Sequence, residues 1–393
     1  MDFIKKYCLQ IVLGLFVLLA VFASVQSIAL GEKTYVEGGK SYNRYNNYSI
    51  FKYSFIHLKE GQDLYQLYPE EHWDLYKYSP AFALFFGSMA LLPDWLGLNL
   101  WNLLNALLLL AGFYLLPGFS KSKKAWMALF CLPELVTSMQ NEQSNGLMAG
   151  CFILALACSE NRQWFWATLL IAISVYTKLF GLVLFALFLC YPQKGKVAGY
   201  TALHFLWLAL IPLLLVDVEQ LKFLYQSWGE LLANDHSSSI GFSVAGWLQT
   251  WFGVGDIKRY VLLLGVMLYA VPLVQFKKYK NYRFRILLLA STLLWVVIFN
   301  HKAESPTFVI AVAGVALWYF IKQQLTRLDI VLMVACILFT SLASTDVYPP
   351  FVRNNYFVPY VVKAVPCIFI WAKIWWEMML EKRAVGRNLE VSV

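Results

Sequence analysis

The chain has 393 residues, of which 60% are hydrophobic and only 14% charged. Soluble globular domains carry about 25% charged residues, so this composition excludes one and implies a polytopic membrane protein. The net charge of +9 is not a nucleic-acid signal, because Lys and Arg stand in short clusters between apolar runs, where they report membrane orientation.

In chain order, "MDFIKKY" precedes a long apolar run, longer than a signal-peptide core, and is read as an uncleaved first span over 7–29. Residues 30–78 form a large polar loop. "SPAFALFFGSMALLPDW" over 79–93 is short, with Pro80 where a helix can begin, and is read as a re-entrant or juxtamembrane helix; the alternative is a true second span. Further spans are predicted at 98–117, 125–139, 143–158, 164–178, 179–192 and 196–216. After a second polar stretch, 217–259, come 260–276, 284–300, 306–322, 329–345 and 357–376. The expected fold is an all-α bundle of about twelve transmembrane helices, a single domain over 1–393. Helices are required because backbone in lipid must satisfy its own hydrogen bonds. The seven cysteines lie in or beside apolar runs without paired spacing, so neither a disulfide framework nor a metal site is expected.

The basic segments "KSKK", "YPQKGK", "KKYKNYRFR", "IKQQLTR" and "EKRAVGR" are assigned to the cytoplasmic side. The suggestive polar residues then fall on the outer side. They comprise the 30–78 loop with "EEHWDLYKYSP", "QNEQSN", Lys178, "ANDHSSSIGFS" with His236, "NHKAESP" and "FVRNN". "DIKRY" at 256–260 is a basic exception on that side. Such asymmetry suggests a chamber opening outward. Lys178 ends an apolar run, where an ammonium is costly unless paired or facing a polar cavity. His301, Lys302 and Arg353 are candidate contacts for an anionic group. Glu134, beside Pro133, is equally suited to helix packing. Glu71 and Asp74 are carboxylates near the membrane that could take a proton from an acceptor hydroxyl. Asp63 is read as a turn residue, His72 and Lys77 as framing the mouth, and Tyr76 and Tyr78 as belonging to an interfacial aromatic belt.

These pieces, in this order, resemble glycosyltransferase family 87: "NNYSIFKYSFIHLKEGQDLY", "YKYSPAFALFFGSMALLPDWLGLNLWNLLNALLL", "NEQSNGLMAGCFILALA", "WATLLIAISVYTKLFGLVLF", "HSSSIGFS" and "HKAESPTFVIAVAG". The resemblance implies a GT-C fold and a mannosyltransferase-like enzyme of the inner membrane. Such an enzyme moves a sugar from a polyprenyl-phosphate carrier to an envelope glycolipid or glycan on the outer leaflet, with no further cofactor or metal. It also implies that Lys178 lies near the donor phosphate and that Gln143 and Asn145 correspond to a family Gln and Asn. The family's catalytic Asp in the first outer loop falls on Asn47, which cannot act as a carboxylate base. Either Asp74 or Glu71 takes over, or the chain is a non-catalytic relative that binds lipid-linked sugar. A transporter or flippase is the third reading. It would call for mid-membrane polar sites and internal repeats, and no repeat is visible.

Overall fold

The computed structural model describes residues 2–35, 39–234 and 240–380. It is helical almost throughout, with one two-stranded antiparallel ribbon, β1 (Glu32–Thr34) and β2 (Ser41–Asn43), in the first polar loop. The principal helices are α1 (Asp2–Ala29), α2 (Asn46–Lys59), α3 (Pro80–Ala90), α4 (Asp94–Leu115), α5 (Lys121–Met139), α6 (Asn145–Glu160) and α7 (Trp164–Thr177). A 3-10 helix (Leu179–Cys190) follows. Beyond it come α8 (Lys194–Leu210), α9 (Val218–Asn234), α10 (Val244–Phe252), α11 (Lys258–Ala270), α12 (Tyr282–Ile298), α13 (Phe308–Phe320) and α14 (Arg327–Cys336). The short α15 (Pro350–Val352) and then α16 (Val365–Leu380) end the described chain.

Each of the twelve apolar segments expected from the sequence falls on a helical segment, but few are long. Among the described residues, three helices suffice by length and hydropathy to cross a bilayer: Tyr7–Ala29, Asp94–Leu115 and Lys194–Leu214. A fourth is formed if Pro350–Phe357 and Val362–Leu380, bent by 80° at their junction, count together. The 3-10 segment is instructive. At a 2.0 Å rise its twelve residues extend about 24 Å, against about 18 Å as an α-helix. It can therefore run back alongside the longer α7.

Helix α3 has eleven residues, about 16 Å of length, roughly half the hydrocarbon thickness of about 30 Å. That length suits the juxtamembrane reading. Its start is built from Ser79, whose side chain accepts from the Phe82 N–H, followed by Pro80 at the first helical position. The 217–259 stretch is not an open loop, since it contains α9 and α10. Helix α9 braces the first polar loop: Ser227 Oγ reaches Asp63 Oδ1 at 2.9 Å, and Gln220 Nε2 reaches the Gly61 carbonyl at 2.8 Å.

The core is tightest where α4 and α6 cross. A Cβ on Gly150 would stand 2.5 Å from the Leu108 carbonyl carbon, and one on Gly146 would stand 3.1 Å from the Asn105 carbonyl oxygen. At Gly150 only glycine permits that backbone approach, and with Gly146 it forms a G-x-x-x-G stripe on α6.

Contacts between helix ends divide the bundle into two poles. At one, Gln140 bonds Gln26, Asn145 bonds the Pro306 carbonyl, and Lys363 bonds Ser305. At the other, Arg285 pairs with Glu160, Tyr282 bonds the Pro117 carbonyl, and Lys123 bonds the Phe320 carbonyl. Among the described residues, the segments assigned outward by charge gather at the first pole and those assigned inward at the second; "EKRAVGR" lies outside the described residues.

Candidate active site

The first pole is organised around the turn Gln140–Ser144 between α5 and α6. Lys178 sits in extended backbone (φ −144°, ψ 123°) between α7 and the 3-10 helix, so its side chain leaves the helical stack toward that turn. Its Nζ donates to Asn145 Oδ1 at 2.7 Å and to Gln143 Oε1 at 3.3 Å, and lies 5.8 Å from the centroid of the Tyr78 ring. Two of the three ammonium donors are thereby used, leaving one for a ligand. Asn145 is fixed in turn by donating to the Pro306 carbonyl at 3.0 Å. Ser79 Oγ donates to the Tyr176 carbonyl at 2.6 Å, tying the start of α3 to the end of α7. The structure therefore brings Lys178, Gln143 and Asn145 together. Glu304 is close enough to act electrostatically on Lys178 and Tyr78.

Asn47 lies beside the same turn, where its Nδ2 donates to the Asn141 carbonyl at 2.9 Å. Its neighbour Asn46 accepts from the Trp73 N–H and donates to the Trp73 carbonyl, both at 2.8 Å. The amide thus pairs with the loop as a strand would, holding residues 70–78 against α2.

The two carboxylates expected to serve as base are engaged locally. Glu71 Oε2 lies 2.8 Å from His57 Nε2 on α2. Burial lowers the His57 pKa, opposed by the Glu71 charge and hydrogen bond, so a neutral imidazole donating to the carboxylate is favoured. Asp74 is half-exposed, pairs with Lys77 at 3.3 Å and accepts from the Leu75 N–H at 2.7 Å. Its φ of 75° places it in the left-handed region, which Asp tolerates better than most residues. His72 is buried, its Nδ1 is 3.0 Å from the Asp74 carbonyl, and burial drives its pKa down to about 4. Asp63 is the turn residue anticipated, accepting from the Tyr65 N–H at 3.1 Å.

Tyr76 corrects the expectation of an interfacial belt. It is 1% exposed and donates to the Ser79 carbonyl at 2.7 Å. Tyr78 is half-buried, its ring stacked on Phe82 and edge-on to Phe51. Both rings belong to the packing that seats α3 on α2.

The late segments contribute less directly. The Lys302 N–H bonds Asn300 Oδ1 at 3.0 Å. The His301 carbonyl borders Gly241, where a Cβ would stand 2.4 Å away. The Phe242 N–H donates to the Ala303 carbonyl at 2.8 Å, so the start of the α10 segment is laced to this turn. Arg353 faces Asp346 at 3.8 Å. His236 lies outside the described residues. Among the described residues, no three His, Cys, Asp or Glu side chains come together as a metal site. Glu134 resolves as packing: its carboxylate is fully buried against Lys363 Nζ at 2.9 Å, and Lys363 also donates to Ser305 and Ser344.

One residue at this pole escaped sequence reasoning. Glu142 is 1% exposed, with φ 47° in the left-handed region. Its Oε1 accepts from Ser27 Oγ at 2.9 Å, and its carbonyl accepts from Trp101 Nε1 at 2.8 Å. Burial pushes its carboxyl pKa well above the usual carboxylate value, offset in part by the Ser27 bond. The only signal in the sequence is a lone acid in a short turn between two apolar runs, in "QNEQSN". Polar turn residues of that kind normally point to water.

A sequence model of glycosyltransferase family 87 matches residues 76–345, more than half of the chain. The chain belongs to glycosyltransferase family 87. The family match takes in α3, the Gln140–Ser144 turn, Lys178 and the 300–306 turn. Asn47, Glu71 and Asp74 precede its first residue, and Arg353 follows its last. No curated protein is significantly similar to the chain. Apolar helices and family membership together make this a membrane glycosyltransferase.

Proposed function

We propose that this family 87 protein transfers a mannose-like hexose from a polyprenyl-phosphate-sugar to an envelope glycolipid or glycan. The reaction would take place at the outer leaflet of the cytoplasmic membrane, on a GT-C-like helical bundle. The observation that carries the reading is Lys178. An ammonium oriented by two amide oxygens at the polar pole, with a donor unclaimed, is suited to a phosphate that gains charge as the sugar departs. Arg353, Lys302 and His301 are secondary contacts for the lipid phosphate, with His236 in the same role. Asn47 is assigned a sugar hydroxyl as its partner in this scheme. The lipid-phosphate sugar is itself the donor, and no separate cofactor or metal enters this scheme.

The chemistry is a direct displacement. The acceptor oxygen attacks the anomeric carbon, the bond to phosphate oxygen breaks with its electron pair, and a carboxylate takes the hydroxyl proton. Candidate carboxylates for that step are Glu71, Asp74 and Glu142.

Membranes containing the protein, incubated with a panel of labelled polyprenyl-phosphate hexoses, test the reading. Label passing from one of them into a glycolipid or glycan supports it. Donor bound with no transfer would instead support a non-catalytic lipid-sugar binder, the alternative that Asn47 favours.

A further inference from the structure

Glu142 stands in a polar cavity of about 260 Å³ bounded by the end of α1, the β1–β2 ribbon, the start of α2 and the α5–α6 turn. Lys33, Tyr35, Arg44, Asn47 and Gln140 contribute to its wall. Among the described residues, the Ser27 hydroxyl is the one donor reaching the Glu142 carboxylate, and neither Lys33 nor Arg44 forms an ion pair with it. A carboxylate held out of water with one neutral partner is an expensive arrangement. Its left-handed backbone adds strain to that cost. Structural carboxylates in this chain are treated differently: Glu134, Glu160 and Asp329 each meet a cation within 3 Å.

The position is as informative as the burial. Asn47, onto which the resemblance would place the family's catalytic Asp, lines this same cavity and bonds Asn141, the residue before Glu142. Gln143, the residue after Glu142, contacts Lys178. A buried carboxylate thus stands on the turn facing Asn47, next in the chain to Gln143.

We infer that Glu142 is the general base of the transfer and that its cavity seats the acceptor hydroxyl. The inference rests on the glycosyl-transfer reading. As the acceptor oxygen bonds to the anomeric carbon, its proton passes to the Glu142 carboxylate. The carbon–oxygen bond to phosphate breaks with its electrons, and polyprenyl phosphate leaves beside Lys178. The proton is later released to water. The Tyr35 side chain, on the same wall, is close enough to feel the Glu142 charge.

Glu142→Gln tests this on the full chain in membranes, because glutamine keeps the shape and can still accept from Ser27. The expected result is a fall in kcat of about 10²–10⁴-fold, with donor KM within a few-fold of wild type. The wild-type rate should rise with pH through an inflection above the ordinary carboxylate range. Glu142→Asp, the conservative variant, should keep part of the activity and the inflection, and it decides the matter if Glu142→Gln fails to accumulate. Transfer by Glu142→Gln at more than a tenth of the wild-type rate would overturn the assignment, as would loss of the inflection in Glu142→Asp with full activity. Wild type that moves no sugar from any polyprenyl-phosphate donor would sink the function reading itself, and this inference with it.

Discussion

Two lysines at the polar pole differ in how completely their donors are used. Lys363 gives its ammonium to Glu134, Ser305 and Ser344, a saturated arrangement whose role is to fasten α5 to the chain before α16. Removing one partner of such a buried pair costs about 3–5 kcal/mol. Lys363→Met is therefore expected to lower the thermal inactivation temperature in detergent, with residual transfer following the folded fraction. Lys178 bonds two neutral amides and keeps a donor for a ligand. A charged hydrogen bond to phosphate contributes about 1.5–3 kcal/mol, so Lys178→Ala should raise the donor KM about 10- to 100-fold with little loss of stability. The histidines give a second prediction at this scale. The folded-state pKa of His72 is lowered to about 4, so its stabilising effect is complete above the unfolded value of about 6.5 and is lost as pH falls toward 4. The effect is on the order of 3 kcal/mol when His72 is fully protonated. Limited proteolysis of the 60–78 segment should accelerate between pH 6 and 4, and His72→Gln should flatten that dependence.

At the scale of elements, the crossing of α4 and α6 sets the height of the site. Asn145 and Gln143 stand at the start of α6, and their position is fixed by how closely that helix approaches α4. Gly150→Ala would place a methyl against the Leu108 backbone, which cannot withdraw as a side chain could. A loss of about 1–3 kcal/mol is expected, read as a lower midpoint of thermal unfolding. Because the helix start would shift, kcat should fall as well. The apolar segments were legible in the sequence because hydropathy reports burial in lipid or in protein alike. Their individual capacity to span was not, since short segments such as the 3-10 run reach their length through backbone geometry rather than residue count. The large first loop reads as polar and as a source of candidate site residues, but not as an ordered element. Its actual order comes from long-range pairs, such as Asn46 with Trp73 and Ser227 with Asp63, which no local pattern announces.

Across the whole molecule, basic turns gather at one pole, and the Lys178 cluster with the Glu142 cavity at the other. Lys178, Gln143 and Asn145 could be placed together from their resemblance to family 87, because a motif preserves spacing along the chain. Glu142 could not, because its burial depends on a left-handed turn and on Ser27, 115 residues away in the sequence. The polarity of the bundle predicts that single cysteines replacing Lys40 and Lys194 label from opposite faces of sealed vesicles; labelling of both from one face would dismantle the assignment of sides. The most direct measurement of the account as a whole is the rate of sugar transfer from a labelled polyprenyl-phosphate hexose by wild-type and Lys178→Ala membranes at matched protein levels. The account predicts transfer by wild type and a donor KM raised about 10- to 100-fold in the variant. Equal transfer by the two proteins, or none by wild type, would contradict it.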